Sequence, residues 1–124
     1  MSVVRNADAR RSETPSGVMT TLASPTVGGA ERSLWRVEAK GGVSGPPHVI
    51  DVEQVWTWLD GTATVELPAG AVTVEPGDTV IIPGGELRRV VAGPDGYTAV
   101  VTASAAARAT TPDGTDHGTP AWIA

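Results

Sequence analysis

The densest group of residues able to move protons, bind a metal or hold an anion is the run GPPHVIDVEQVWTWLDG, residues 45–61. It sets His48 ahead of Asp51, Glu53 and Gln54, with Trp56 and Trp58 close behind. Imidazole titrates near ~6.5, so His48 can act as acid or base at neutral pH. A histidine turned toward carboxylates can instead hold a divalent cation. A second run, GGELRRV at residues 84–90, adds Arg88 and Arg89, of which only one can face inward from a regular strand. An inward arginine suits a carboxylate, enolate or phenolate.

The remaining histidine, His117, lies in the turn-rich segment TPDGTDHGTP. It is expected at the solvent-exposed surface, with a reach into a barrel mouth only in trans. Asp113 and Asp116 beside it lack the further ligands and terminal glutamate of a calcium loop. The chain contains no GxSxG, Walker, HExxH or dinucleotide fingerprint, which excludes those catalytic scaffolds. Cysteine is absent, so disulfides, thiolate metal sites and cysteine nucleophiles are excluded.

The elements that must position these groups are short. Fifteen glycines and ten prolines break a 124-residue chain into β-branched runs, the pattern of a single all-β domain. Strands are expected over residues 18–23, 33–39, 53–59, 62–68, 71–74, 79–82, 88–92 and 97–103. Asp60-Gly61 and Ala69-Gly70 read as turns, giving a meander from Glu53 to Val74. Residues 1–17 and 104–124 read as arms on a barrel of about 18–103, with Trp122-Ile123 as a docking cue that suits a partner subunit.

The spacing within the two glycine-anchored runs is regular. In the first, His48 follows Gly42 after five residues, Ile50 comes next on the same face, and Gln54 and Gly61 follow after three and six more. In the second, Pro83 follows Gly77 and Asp78, then come Gly85, Arg88 and Ala92; fifteen residues separate the two runs. On these positions the chain resembles the cupin superfamily, over roughly residues 20–103. The resemblance implies a cupin-type double-stranded β-helix, a jelly-roll β-barrel, commonly a homodimer, with its site in the mouth between the two motifs.

The family's metal ligands are two histidines and a glutamate from the first motif and a histidine from the second. Those places here carry His48, Ile50, Gln54 and Arg88. Isoleucine cannot coordinate, a neutral amide is a weak donor, and a protonated arginine repels a cation. No cofactor is therefore expected; if a metal is bound, its ligands are His48 and Gln54 with Asp51 or Glu53 turned inward by a bulge.

Strand alternation carries Ile50, Gln54, Trp56, Trp58 and Val90 to the same interior as His48 and Arg88, with Trp35 on a neighbouring strand. The expected pocket binds an anionic or unsaturated small molecule. Each residue also has a plain alternative. The tryptophans can be core, His48 can satisfy a backbone group, and Arg88 can pair internally with Glu38, Asp51 or Glu53.

The leading reading is an acid/base cyclase, isomerase or lyase/dehydratase working without a tightly bound redox metal. Its substrate would be an anionic or carbonyl-bearing metabolite, polyketide-cyclase-like and of bacterial secondary metabolism. His48 and Arg88 would be its catalytic pair. A non-catalytic ligand-binding or sensing cupin is the alternative, and a metal-dependent dioxygenase with atypical ligands the third. The net charge of -5 and scattered cations argue against nucleic acid. No stretch approaches the ~20 apolar residues of a membrane span, and a cytoplasmic location is expected.

Overall fold

The computed structural model describes residues 1–124. A short 3₁₀ turn, Asn6–Asp8, precedes ten strands: β1 Arg10–Thr14, β2 Gly17–Ala23, β3 Arg32–Ala39, β4 His48–Ile50, β5 Gln54–Leu67, β6 Gly70–Val74, β7 Thr79–Ile82, β8 Leu87–Ser104, β9 Ala109–Thr110 and β10 Asp116–Gly118. No helix is long and apolar enough to cross a membrane.

Two long strands organise the rest. β5 and β8 run antiparallel from Gln54↔Ala103 to Glu66↔Arg89, with register shifts at Trp58/Asp60 and Gly61/Ala63. Beyond those shifts each strand changes its other neighbour. The first half of β5 pairs with β7 and the second with β6, while the second half of β8 pairs with β3 and the first with β4. One wall is thus β1-β2-β3-β8-β5-β7 and the other β10-β9-β4-β8-β5-β6. The sheet curls on itself because the bulges bend its two shared strands.

The expected pairs of strands 53–59 with 62–68, and 88–92 with 97–103, are each one continuous strand. Asp60-Gly61 is a bulge, not a hairpin turn, so the meander begins only at Ala69-Gly70. A glycine that allows positive φ serves a bulge as well as a turn, which is why the dipeptide misleads. Gly61 has φ 71°, and a Cβ there would stand 2.0 Å from the Gly96 carbonyl oxygen. Gly96 mirrors it, with φ 76° and a notional Cβ 2.2 Å from the Ala39 oxygen.

Inner residues alternate with outer ones. Small side chains on β8 make room for indoles on its neighbours: Val101 faces Trp35 of β3 and Ala99 faces Trp58 of β5. Trp35, Trp58, Val65, Ala99, Val101 and Ala103 are all buried in one core. On the outer face Arg89 holds Glu66 at 2.7 Å, which settles which of the paired arginines turns inward.

Both arms belong to the barrel. β1 extends the first wall through Arg10↔Thr21, and the C-terminal tail packs on its own chain. The Trp122 carbonyl accepts from Thr21 Oγ1 at 2.8 Å, the Ile123 carbonyl from Ser33 Oγ, and the Ala124 carbonyl from Ser24 Oγ at 3.0 Å. Ile123 is fully buried, so the docking cue is met in cis. It also explains three buried hydroxyls on β2, β3 and the loop between them, each of which needs an acceptor.

Gly61→Ala should cost at least about 2 kcal/mol, since alanine must take a left-handed backbone against the Gly96 carbonyl. Urea denaturation measures it; an unchanged midpoint would show that the bulge tolerates a side chain.

Candidate functional site

Between the walls lies a cavity of about 670 Å³. Its lining includes His48, Ile50, Gln54, Trp56, Arg88, Val90 and Trp35. Met19, Val37 and Tyr97 complete the apolar side, and Trp122 and Ile123 close it from the C-terminal tail. Trp58 is the exception among the expected lining residues. It faces inward, as alternation requires, but lies behind Trp56 at a ring distance of 5.4 Å and against Tyr97 at 5.8 Å. That packing makes it core.

Local pairing fixes the polar end. β4 aligns His48 directly opposite Arg88 of β8, so both side chains stand on one face a few ångströms apart at Cβ. Arg88 is only 2% exposed. Its Nε, Nη1 and Nη2 are buried without a hydrogen-bond partner. None of the carboxylates expected as internal partners reaches it. Glu38 pairs with Arg36 at 3.0 Å on the outer face, Asp51 accepts from the Arg108 backbone N–H at 2.7 Å, and Glu53 is exposed. Burial lowers the Arg88 pKa to about 10, opposed by the charge of Glu86, which leaves the group protonated at neutral pH.

His48 Nδ1 lies 2.8 Å from the Pro46 carbonyl oxygen. A carbonyl can only accept, so Nδ1 carries the proton and Nε2 keeps a lone pair. Desolvation pulls the His48 pKa below its ordinary value; the Pro46 bond opposes this, and the charges of Arg88 and His117 add to the lowering. His48 is thus a neutral base at pH 7.

Gln54 is oriented by chemistry as well. Trp56 Nε1 donates to Gln54 Oε1 at 3.1 Å, and an indole N–H cannot accept. The amide NH₂ is therefore the end left to donate elsewhere. One base and two donor groups converge on an apolar, indole-walled space.

Like Trp122 and Ile123, His117 lies at the cavity although sequence reasoning placed it elsewhere. It is exposed but lines the cavity in cis, carried by the β9–β10 hairpin beside β4. Its Nε2 lies 3.0 Å from Thr111 Oγ1, which itself donates to Asp113 Oδ1 at 2.6 Å. Since Thr111 has one proton to give, His117 Nε2 is the donor in the first bond. The Thr111 hydroxyl, with the Thr115 backbone N–H that also donates to Asp113, holds the Asp113 pKa down at about 2. Only the non-local pairing of β9 with β4 brings the hairpin here, and a polar, turn-rich segment carries no periodic signal of it.

The residues present do not fit a divalent metal. No group of three or more histidine or carboxylate side chains converges. Gln54 Oε1 is occupied by Trp56, Asp51 and Glu53 do not line the cavity, and a guanidinium stands across the ladder from the only inward imidazole of the first motif. The alternative ligand set of His48, Gln54 and Asp51 or Glu53 is not assembled.

Three solved structures share this architecture. The polyketide cyclase RemF from Streptomyces resistomycificus superposes with a TM-score of 0.71 at 26% identity, over 84% of this chain and 79% of that one. An RmlC-like cupin from Shewanella frigidimarina NCIMB 400 gives 0.71 at 16%, over 82% and 88%. The chain has the cupin fold. Oxalate decarboxylase from Bacillus subtilis also superposes at 0.71 and 15% identity, over 80% of this chain but only 28% of that longer one. No protein-family model and no curated protein matches the sequence.

Because the lowering of the His48 pKa reflects a neutral form favoured by folding, its sign is fixed. The unfolded chain binds the proton more readily, so the stability contributed by neutral His48 is lost as pH falls below ~6.5. An NMR titration should place His48 below ~6.5, and Arg88→Gln should move it upward by removing a neighbouring charge. A His48 titration above that value, unmoved by the substitution, would contradict the geometry.

Proposed function

We propose that this cupin is an acid/base enzyme that works without a bound metal on an anionic, carbonyl-bearing substrate, as a cyclase, isomerase or lyase/dehydratase. The observation that carries the reading is the neutral imidazole of His48, its Nδ1–H fixed on Pro46, opposite the unpaired guanidinium of Arg88. The cyclase likeness at 26% identity supports the first of the three reaction types.

The step such a pair performs is enolisation. His48 Nε2 takes a proton from a carbon beside a carbonyl, and the C–H electron pair moves to the carbonyl oxygen as an enolate. The Gln54 NH₂ donates to that oxygen and the nearby charge of Arg88 stabilises it through space, in a site from which the tryptophans exclude water. For a cyclase the enolate carbon then bonds to a second carbonyl carbon, and the alkoxide so formed recovers the proton from the imidazolium. An isomerase returns the proton to a different carbon. A lyase or dehydratase uses the enolate electrons to expel a leaving group, which takes the proton. Each route conserves atoms and electrons with no oxidant.

Proton exchange at carbon tests this before any product is known. In D₂O with a chelator present, the protein should speed α-deuteration of anionic aryl ketones such as 4-acetylbenzoate. His48→Gln should slow it by about 10²- to 10⁴-fold. Loss of exchange on chelation, or full exchange in His48→Gln, would overturn the reading. Saturable binding of such ketones with no exchange would favour a sensing protein.

A further inference from the structure

A guanidinium inside a protein is normally held by a carboxylate, because burying a charge without a partner costs several kcal/mol. Arg88 lacks such a partner: all three of its nitrogens are buried and unsatisfied, and it lines the cavity. The carboxylates within sequence reach are engaged or exposed elsewhere. Glu86, just ahead of β8, raises the Arg88 pKa without bonding to it.

A transient enolate cannot account for this. It exists only during turnover, whereas the cost of the buried cation is present throughout the life of the folded protein. The group that repays it must carry its charge in the ground state.

We infer that the substrate carries a permanent carboxylate, that Arg88 binds it as a planar two-point partner, and that an aromatic or polyene body fills the space between Trp35 and Trp56. The inference rests on the proposed reading of the site and adds to it the class of substrate. Shape supports the choice of anion. The guanidinium fork matches two carboxylate oxygens, while His48 and the Gln54 amide remain free for the reacting carbonyl. The rest of the lining is apolar, and a cavity of about 670 Å³ takes a body of two or three fused rings rather than a small acid. The fork is shut off from solvent, so it must turn about its terminal torsions to meet the ligand, as its unbranched stem allows.

The direct probes are 2-naphthoate and its neutral isostere 2-naphthamide, titrated into the full chain and followed by tryptophan fluorescence and calorimetry. The native protein should prefer the naphthoate by at least about tenfold, or ~1.4 kcal/mol. Arg88→Met should bring that preference below about twofold and, by removing an unpaired buried charge, raise Tm by about 3–8 °C. Arg88→Lys keeps the charge without the fork and should fall between; it stands in should the Met variant not fold. Equal affinity for the two probes, binding of neither, or an undiminished preference without the guanidinium would overturn the inference. Naphthoate preference in a protein that exchanges no α-protons would leave this binding role standing while the enzymatic reading falls.

Discussion

Arg88 faces His48 across the β4–β8 ladder with every guanidinium nitrogen buried and unpaired, and that unmet charge orders the rest of the site. Burial, to which a cation so placed adds, keeps the neighbouring imidazole neutral and therefore basic. The guanidinium also repels any divalent cation from the only inward histidine of β4. What the arrangement favours is negative charge, whether carried by a substrate or developing on its oxygen. An enzyme of this form would replace a metal's Lewis acidity with the cation of an arginine side chain, and a metal-bound base with a free imidazole.

The fold holds that pair at the end of an apolar chamber. β8 carries Arg88 near its start and the small residues Ala99, Val101 and Ala103 near its end, so one strand supplies both the charge and the room for indoles. The crossing of β5 and β8 depends on backbones meeting at Gly61 and Gly96, where no side chain fits. Behind the pocket Trp58 packs against both Trp56 and Tyr97 and backs its indole wall. The C-terminal tail then seals the chamber through carbonyls seated on Thr21, Ser24 and Ser33.

Much of the chamber was legible because strands have a period of two. Alternation from His48 carries Ile50 inward, and alternation from Gln54 carries Trp56, while leaving Asp51 and Glu53 outside. Period alone says nothing of depth. Trp58 shares the face of Trp56 yet stacks behind it, and no spacing rule separates a wall from what the wall rests on. Gly61 has the chemistry of a turn and of a bulge alike, and only the pairing of β5 with β8 decides between them. His117 and the fate of Arg88 are long-range matters: one depends on the β9–β10 hairpin folding beside β4, the other on every candidate carboxylate being committed elsewhere.

In the proposed site the cation is Arg88, and its counter-charge arrives with the ligand. A crystal structure of the protein with 2-naphthoate, grown in the presence of Zn(II) or Mn(II), measures this directly. The expected result is a carboxylate on the Arg88 fork, the ring body between Trp35 and Trp56, and no metal at His48. A metal ion bridging His48 and the carboxylate, with Arg88 turned away, would contradict it.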